Sequence, residues 1–465
     1  MEKRSLTEQL VIALDQRRPQ LLEPATQTLS RYYLLDWLGS AIGGMATPTG
    51  KAFLRYGESA ASGASSIPGL PERRSAGVAA LVNGALSHIV EMDDVERASI
   101  IHPGAVIIPA ALAVADEVNA GADQLLAAIA AGYEVAIRIG SAVGARHYYH
   151  FHNTSTCGVF GAAIAAGWLY QLDHQQLVWA LGNAGTQAAG LWEFNAEGAQ
   201  SKPLHIGGAA ANGVLAAKLA QGGISGARRI LEGDRGFFAG LAPEGHPSRV
   251  VERLDGPFKI GDVSIKPHAS CRHTHAPIDA ALQVREQLLS RRGAVASGEL
   301  TKITVSVYQA AQVLCDKSAP ASVADAKFSL QYCVATALVR GQVGLEEFSD
   351  PQRQAQQLTQ FMDKIEVVVD PVHEARYPDC WAATLCVVDS HGSRLEVEVA
   401  NPKGDPENPL SQQELEQKFR LLCRYGLGAS TETADQLIDW VAGLTGSQAL
   451  DTALLTSLQA TRDMS

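Results

Sequence analysis

The sequence predicts a mainly α protein: a large all-helical domain built from both chain ends, with a smaller inserted α+β domain carrying an antiparallel sheet. Three observations predict it. Ala- and Gly-rich helical runs dominate up to about residue 260. The texture then changes to period-two alternation with β-branched residues. After the loop-forming stretch Asn401-Pro402-Lys403-Gly404-Asp405-Pro406, helical patterns resume. The expected domains are 1–262 with 402–465, all-helical, and 263–401, α+β.

In order, Ala25–Gly43, Ala105–Val118, Ala122–Val143, Gly158–Tyr170 and Ala209–Gln221 read as helices. Small residues let helices approach closely, but each Gly costs about 1 kcal/mol relative to Ala, so tertiary packing must hold these helices. Lys302–Val307 and Arg394–Val399 alternate polar and apolar residues, the signature of half-buried strands. Ile365–Val369 and Thr384–Val388 are further β-rich runs, with a helical run, Phe328–Arg340, between strands. Thr384–Val388 and Arg394–Val399 flank the turn-like Asp389-Ser390-His391-Gly392 and predict a hairpin.

Composition narrows the function. A chain of 465 residues suits two or three domains, and 46% hydrophobic against 19% charged residues means a large core, not disorder. The net charge of −11 argues against nonspecific nucleic-acid or anionic-membrane binding. An anionic substrate would need cations gathered locally. The longest apolar runs, Gly104–Ala115 and Cys157–Leu172, fall short of the roughly 20 residues of a membrane span. Met1–Ser5 leads into a mixed helical pattern, so neither a secretory nor a transit segment is expected. The seven scattered cysteines form no CxxC pair, which fits reduced thiols in the cytoplasm.

Chemistry concentrates in a few segments. Glu91-Met92-Asp93-Asp94 is followed by His102-Pro103-Gly104: three carboxylates and an imidazole within twelve residues, flanked by apolar sequence. Charges beside a core are costly unless paired or used. Eleven of the thirteen histidines lie between His88 and His275, so the search for proton carriers centres there. His147, His150 and His152 form one group. Lys266, His268, Ser270, Cys271, Arg272, His273 and His275 form another, at the expected domain boundary where ligand clefts are frequent. Lys202 and His205 open a Gly-rich helix whose N-terminus favours an anion. Each feature also has a plain structural reading. The acidic run can be a solvated helix end, His102 a turn residue, Lys202 a surface lysine, Cys271 a small core residue, and Arg272–His275 a helix cap. His273-x-His275, or His150-x-His152 with Asp93 or Asp94, is a conceivable metal set, but there is no HExxH. No Walker A motif or strand-linked GxGxxG is present, which argues against a nucleotide cofactor.

Taken together, these segments resemble the MmgE/PrpD family, which includes 2-methylcitrate dehydratase, cis-aconitate decarboxylase and iminodisuccinate epimerase. The resemblance rests on His88–Ala115, His152–Gly167, Gly198–Asp234 with SKPLHIGGAAANG, KPHASCRHTHAPIDA from Lys266, KFSLQYCVATAL from Lys327, and NPKGDPENPLS with Lys418-Phe419. It implies cofactor-free chemistry, with no metal, on a small di- or tricarboxylate, and a homodimer. It also implies a catalytic set of Glu91, Asp93, Asp94, His102, His152, Lys202, Lys266 and His275; beside these, Arg272, Ser270 and His205 of the polar segments are expected to bind substrate. The chain departs from the family pattern at Glu91, at Val95, and at Glu96-Arg97-Ala98-Ser99. The expected reaction is a 2-methylcitrate-type dehydration, which belongs to propionate metabolism, by proton abstraction next to a carboxylate. The alternatives are cis-aconitate-type decarboxylation, iminodisuccinate-type epimerisation, and a silent polycarboxylate-binding protein.

Overall fold

The computed structural model describes residues 4–348, 356–428 and 431–458. The chain divides into two compact units: Met1–Ile89, Asp93–Val263 and Gln412–Ser465 in one, Val90–Met92 and Ser264–Ser411 in the other.

The first unit is helical. Its main helices are α1 (Pro24–Met45), α2 (Ala76–His88), α3 (Pro103–Val118), α4 (Ala122–Gly140), α5 (Asn153–Leu169) and α6 (Lys202–Gln221). Helix α5 is the hub, packing on α3, α4 and α6, and α2 packs on α1, α3 and α6. Helices α3 and α5 are apolar nearly all round, as enclosed helices must be, whereas α6 keeps an exposed side. Small residues set the spacing: a Cβ on Gly161 would stand 2.5 Å from the Gly132 carbonyl oxygen. The helix Gln412–Leu427 returns to pack on α1. Its buried Lys418 ion-pairs with buried Asp36 of α1, so the returning segment is fixed by charge as well as by apolar contact.

The second unit is built on a four-stranded sheet, with β1 (Leu300–Val307), β2 (Ile365–Val369), β3 (Ala383–Asp389) and β4 (Arg394–Val399) in the order β2-β1-β3-β4. The expected hairpin is present, with Thr384 opposite Glu398 and Val388 opposite Arg394. The sheet is mixed rather than wholly antiparallel, because β1 pairs with β2 in parallel, Val305 opposite Val367. The β1–β2 connection is long and carries helices, which is what a parallel pairing needs. Ile303, Val305 and Val307 are fully buried on β1. Two helices, α7 (His275–Arg292) and α8 (Leu330–Arg340), pack together, and α7 also lies on β3 and β4. All seven cysteines are free. Among the described residues no helix is long and apolar enough to cross a membrane.

Candidate active site

In the helical unit, four histidines form a chain of ring contacts, two of them against one carboxylate. His88 ends α2, His102 precedes α3, His152 precedes α5, and His205 lies in the first turn of α6. Asp93 follows α2 and is almost fully buried. His88 Nδ1 stands 2.6 Å from Asp93 Oδ2, and His102 Nδ1 stands 3.1 Å from the same oxygen. An ionised carboxylate only accepts, so His88 Nδ1 carries the hydrogen. The His88 ring meets His102 edge-to-face at 4.8 Å and His152 at 5.5 Å, and His152 lies 5.8 Å from His205. His88 Nε2, His152 Nδ1 and His205 Nδ1 have no hydrogen-bond partner among the described residues. Buried polar atoms are normally satisfied, so three such nitrogens in one cluster mark a place built to meet something else.

Electrostatics point the same way. Burial, then the charges of His88, Lys202 and His102, hold His152 well below the ordinary imidazole range. Burial, then His88 and Lys202, lower His205 as well. Lys202 is half-buried at the start of α6. The cluster is rich in groups that become cationic and poor in anions, so an incoming carboxylate would pull protons onto it.

Asp94 does a different job from its neighbour. Gly104 N donates to its Oδ1 at 2.9 Å and the Tyr133 hydroxyl donates to its Oδ2 at 2.7 Å. It thus caps the first turn of α3 and holds His102 at that helix's entrance. Gly104 is required there, since a Cβ would stand 2.8 Å from the Tyr133 hydroxyl and 2.9 Å from Asp94 Oδ1. Burial, with Asp36 and Asp93 nearby, pushes the Asp94 carboxyl well above the usual carboxylate range.

The first turn of α5 brackets the site. Asn153 Nδ2 donates to the Ser99 carbonyl at 2.9 Å, and Thr154 Oγ1 accepts from His102 N at 3.1 Å. Ser155 Oγ donates to the His205 carbonyl at 3.0 Å, and Thr156 Oγ1 meets His147 Nε2 at 2.8 Å. His147 also donates from Nδ1 to the Leu241 carbonyl at 2.8 Å, so both its nitrogens are committed to the fold. His150 is exposed, and of the three grouped histidines only His152 enters the cluster. Glu96 is buried and accepts from Ala98 N at 2.9 Å and Ser99 N at 2.8 Å, so this departure from the family pattern closes a local turn.

In the α+β unit, Lys266 is fully buried and its Nζ stands 3.5 Å from Glu91 Oε2. Glu91 has φ +60, a backbone region costly for a residue with a side chain. Lys327 Nζ donates to the Val90 carbonyl at 2.8 Å, so two lysines hold this short segment. Arg272 donates to His275 Nδ1 at 2.9 Å, to the Lys403 carbonyl at 3.2 Å, and to buried Asp405. Since Nδ1 accepts, His275 Nε2 carries the hydrogen and donates to the Ser270 carbonyl at 3.3 Å. Both nitrogens of His275 and both terminal nitrogens of Arg272 are therefore engaged inside the protein, while buried Arg272 Nε has no hydrogen-bond partner among the described residues. Burial, with the charges of Arg272, His268 and Lys266, keeps His275 well below the ordinary range. Ser270 Oγ pairs with Thr274 Oγ1 at 2.8 Å. His268 donates to Asp279 at 2.9 Å. His273 bonds the Tyr308 hydroxyl at 2.6 Å and stacks on Trp381 at 4.3 Å.

The sequence raised His273-x-His275 as a metal pair. His273 and His275 are used as above. Among the described residues, His88, Asp93 and His102 do present donor atoms within 4.8 Å of one another. Two ligands of one tetrahedral zinc sit roughly 3.3 Å apart when each bond is about 2.0 Å. The 2.6 Å His88–Asp93 separation is instead that of a hydrogen bond.

Sequence reasoning missed His88, the α5 first turn, Lys327 and Asp405. His88 was visible as the last residue of an apolar helical run; Lys327 and Asp405 stood in segments that carry the resemblance, but their pairing gave no local signal, because their partners are remote in sequence.

The fold and site define a class: a two-unit, mainly α protein with a buried imidazole–lysine cluster suited to acid–base work on an anion. Residues 9–249 match the MmgE/PrpD N-terminal domain and residues 268–444 the MmgE/PrpD C-terminal domain, and the chain belongs to that family. It is similar to human cis-aconitate decarboxylase, 28% identical across 98% of this chain and 95% of the relative. It is also similar to the cis-aconitate decarboxylase-like protein oryM of Aspergillus oryzae, 27% identical over 85% of each chain. The Aspergillus terreus cis-aconitate decarboxylase is 26% identical over 85% of this chain and 84% of its own. Two of these relatives are named cis-aconitate decarboxylases and the third a cis-aconitate decarboxylase-like protein, so they favour that alternative over the expected dehydration.

Proposed function

We propose that the chain is a carboxy-lyase acting on cis-aconitate or a closely similar unsaturated tricarboxylate, by a mechanism its own residues supply. One observation carries the reading. In the helical-unit cluster His88 and His102 meet Asp93, His152 and His205 follow ring to ring with Lys202 close by, and Asp94 is committed to Gly104 and Tyr133. Such a site is better at holding anions and giving protons than at removing them. Dehydration needs a strong base for carbon; decarboxylation needs charge stabilisation and an acid. Lys202 and His205 would bind substrate carboxylates. Breaking the carbon–carboxylate bond releases carbon dioxide and leaves its electron pair delocalised over the adjacent double bond and carboxylate. His102 or His152, protonated on substrate binding, then delivers a proton to carbon.

The test is to incubate the protein with cis-aconitate, 2-methylcitrate, citrate and iminodisuccinate and follow products by NMR. Carbon dioxide release from cis-aconitate is expected; turnover of 2-methylcitrate alone would replace this reading with dehydration. Proton uptake is a second check: calorimetry in buffers of different ionisation enthalpy should show protons taken up with the polycarboxylate. The reading includes a homodimer, supported by exposed Leu204, Leu215 and Leu219 along α6. Light scattering should give twice the chain mass.

A further inference from the structure

His88 has so far no assigned task. It closes the 13-residue helix α2 and is 1% exposed. A buried imidazole is costly unless its nitrogens are used. Nδ1 is used, at 2.6 Å from Asp93 Oδ2, whereas Nε2 has no hydrogen-bond partner among the described residues. The same oxygen also lies 3.1 Å from His102 Nδ1. That oxygen thus hydrogen-bonds the His88 ring and stands within ion-pair range of the His102 ring, and the shorter contact belongs to the more enclosed ring: the His88 side chain is 0% exposed, that of His102 12%. The enclosed partner sets the carboxylate, and the carboxylate faces the ring that substrate can reach.

We propose that His88 is a positioning residue, fixing Asp93 through Nδ1 so that Asp93 in turn fixes the tautomer and aim of His102. The inference rests on His102 carrying the proton in the reaction proposed above. A carboxylate held on its other side keeps the imidazole oriented, and the ring nitrogen opposite Nδ1 becomes the one that exchanges a proton with substrate. The groups around His102 are Asp93 from the turn after α2, His88 from α2, and His152 ahead of α5, with Lys202 and His205 of α6 facing His152.

Three variants of the full chain decide it. An Asn amide can place an N–H where Nδ1 sits; a Gln amide can place one near Nε2. His88→Ala and His88→Gln should lower kcat about thirtyfold with KM changed less than about threefold, part of what positioned proton transfer contributes. His88→Asn should recover to within about fivefold of the parent. The second readout needs no turnover: imidazole titration followed by 15N NMR in the free protein. Loss of the His88 donor leaves Asp93 a stronger acceptor for His102. The His102 ring should therefore titrate at higher pH in the Ala and Gln variants and near the parent value in the Asn variant. Recovery by Gln rather than Asn would overturn the proposal in favour of direct contact through Nε2. An unchanged His102 titration in all three, with only a lowered melting temperature, would reduce His88 to packing. If no polycarboxylate is turned over at all, the proposed function fails, and the titration still judges His88.

Discussion

The two histidine-rich segments of this chain use the same residue types to opposite ends. Around Asp93, His88, His152 and His205 each keep a ring nitrogen with no partner among the described residues. Around Arg272, His275 spends both nitrogens, and His273 and His268 spend one each on Tyr308 and Asp279. The first arrangement leaves three ring nitrogens with unused hydrogen-bonding capacity, which is expensive when buried; the second engages its imidazoles internally and leaves Arg272 Nε without a partner among the described residues. The contrast teaches that residue type selects candidates, and that partner accounting separates a reactive cluster from a buried brace.

The comparison can be broken from either side. The largest effect is expected in the closed cluster. Arg272→Ala leaves Asp405 buried without its cation, which should cost about 3–5 kcal/mol of stability. Urea unfolding measures it, and a loss under about 1 kcal/mol would mean that the brace is no brace. Next comes the open cluster: His102→Ala and Lys202→Ala should each lower kcat/KM at least about a hundredfold, roughly 3 kcal/mol, with unfolding midpoints close to the parent's. Near-normal rates in both would move the chemistry elsewhere.

A smaller effect follows from pH. Burial lowers His273 to about 3, whereas an unfolded imidazole takes its proton near 6.5. Its contribution is present above 6.5 and is lost as pH falls, because the unfolded chain then binds the proton and the folded one does not. Between pH 6.5 and 5 the loss is about 2 kcal/mol. Urea unfolding at the two pH values should show it, and His273→Phe should shrink the difference. The smallest effect is expected at Asp94. Its carboxyl is raised by burial, so wild-type stability is lost as pH rises. Asp94→Asn keeps both contacts, should hold kcat within about threefold, and should gain on the parent as pH increases from 5 to 8. A hundredfold loss would return Asp94 to the chemistry.

The fold was legible where one period ran unbroken. Ala105–Val118 anticipates α3 to within its first turn, and the four strands stand where alternation and β-rich runs placed them. The parallel β1–β2 pairing was not legible, because alternation reports burial and not which strand lies alongside. The start of α5 was missed by five residues, since Asn153-Thr154-Ser155-Thr156 reads as loop by propensity, and its side chains are consumed by tertiary bonds. In the site, Asp93, His102, His152 and Lys202 stood out by charge against apolar sequence. The braced state of His275 could not, because Arg272 reaches Lys403 and Asp405 more than 130 positions away.

That first turn of α5 sets the terms on which the site can change. Its four polar side chains touch Ser99, His102, His205 and His147, one each. It works as a jig: a shift of one residue there moves several fittings at once. Gradual retuning toward another substrate is thus obstructed at this helix and is easier in segments that touch a single member, such as the Glu96–Ser99 turn. Diversification within this architecture should accumulate in such turns while the jig stays fixed, and a library that randomises the turn should yield more altered, folded enzymes than one that randomises residues 153–156.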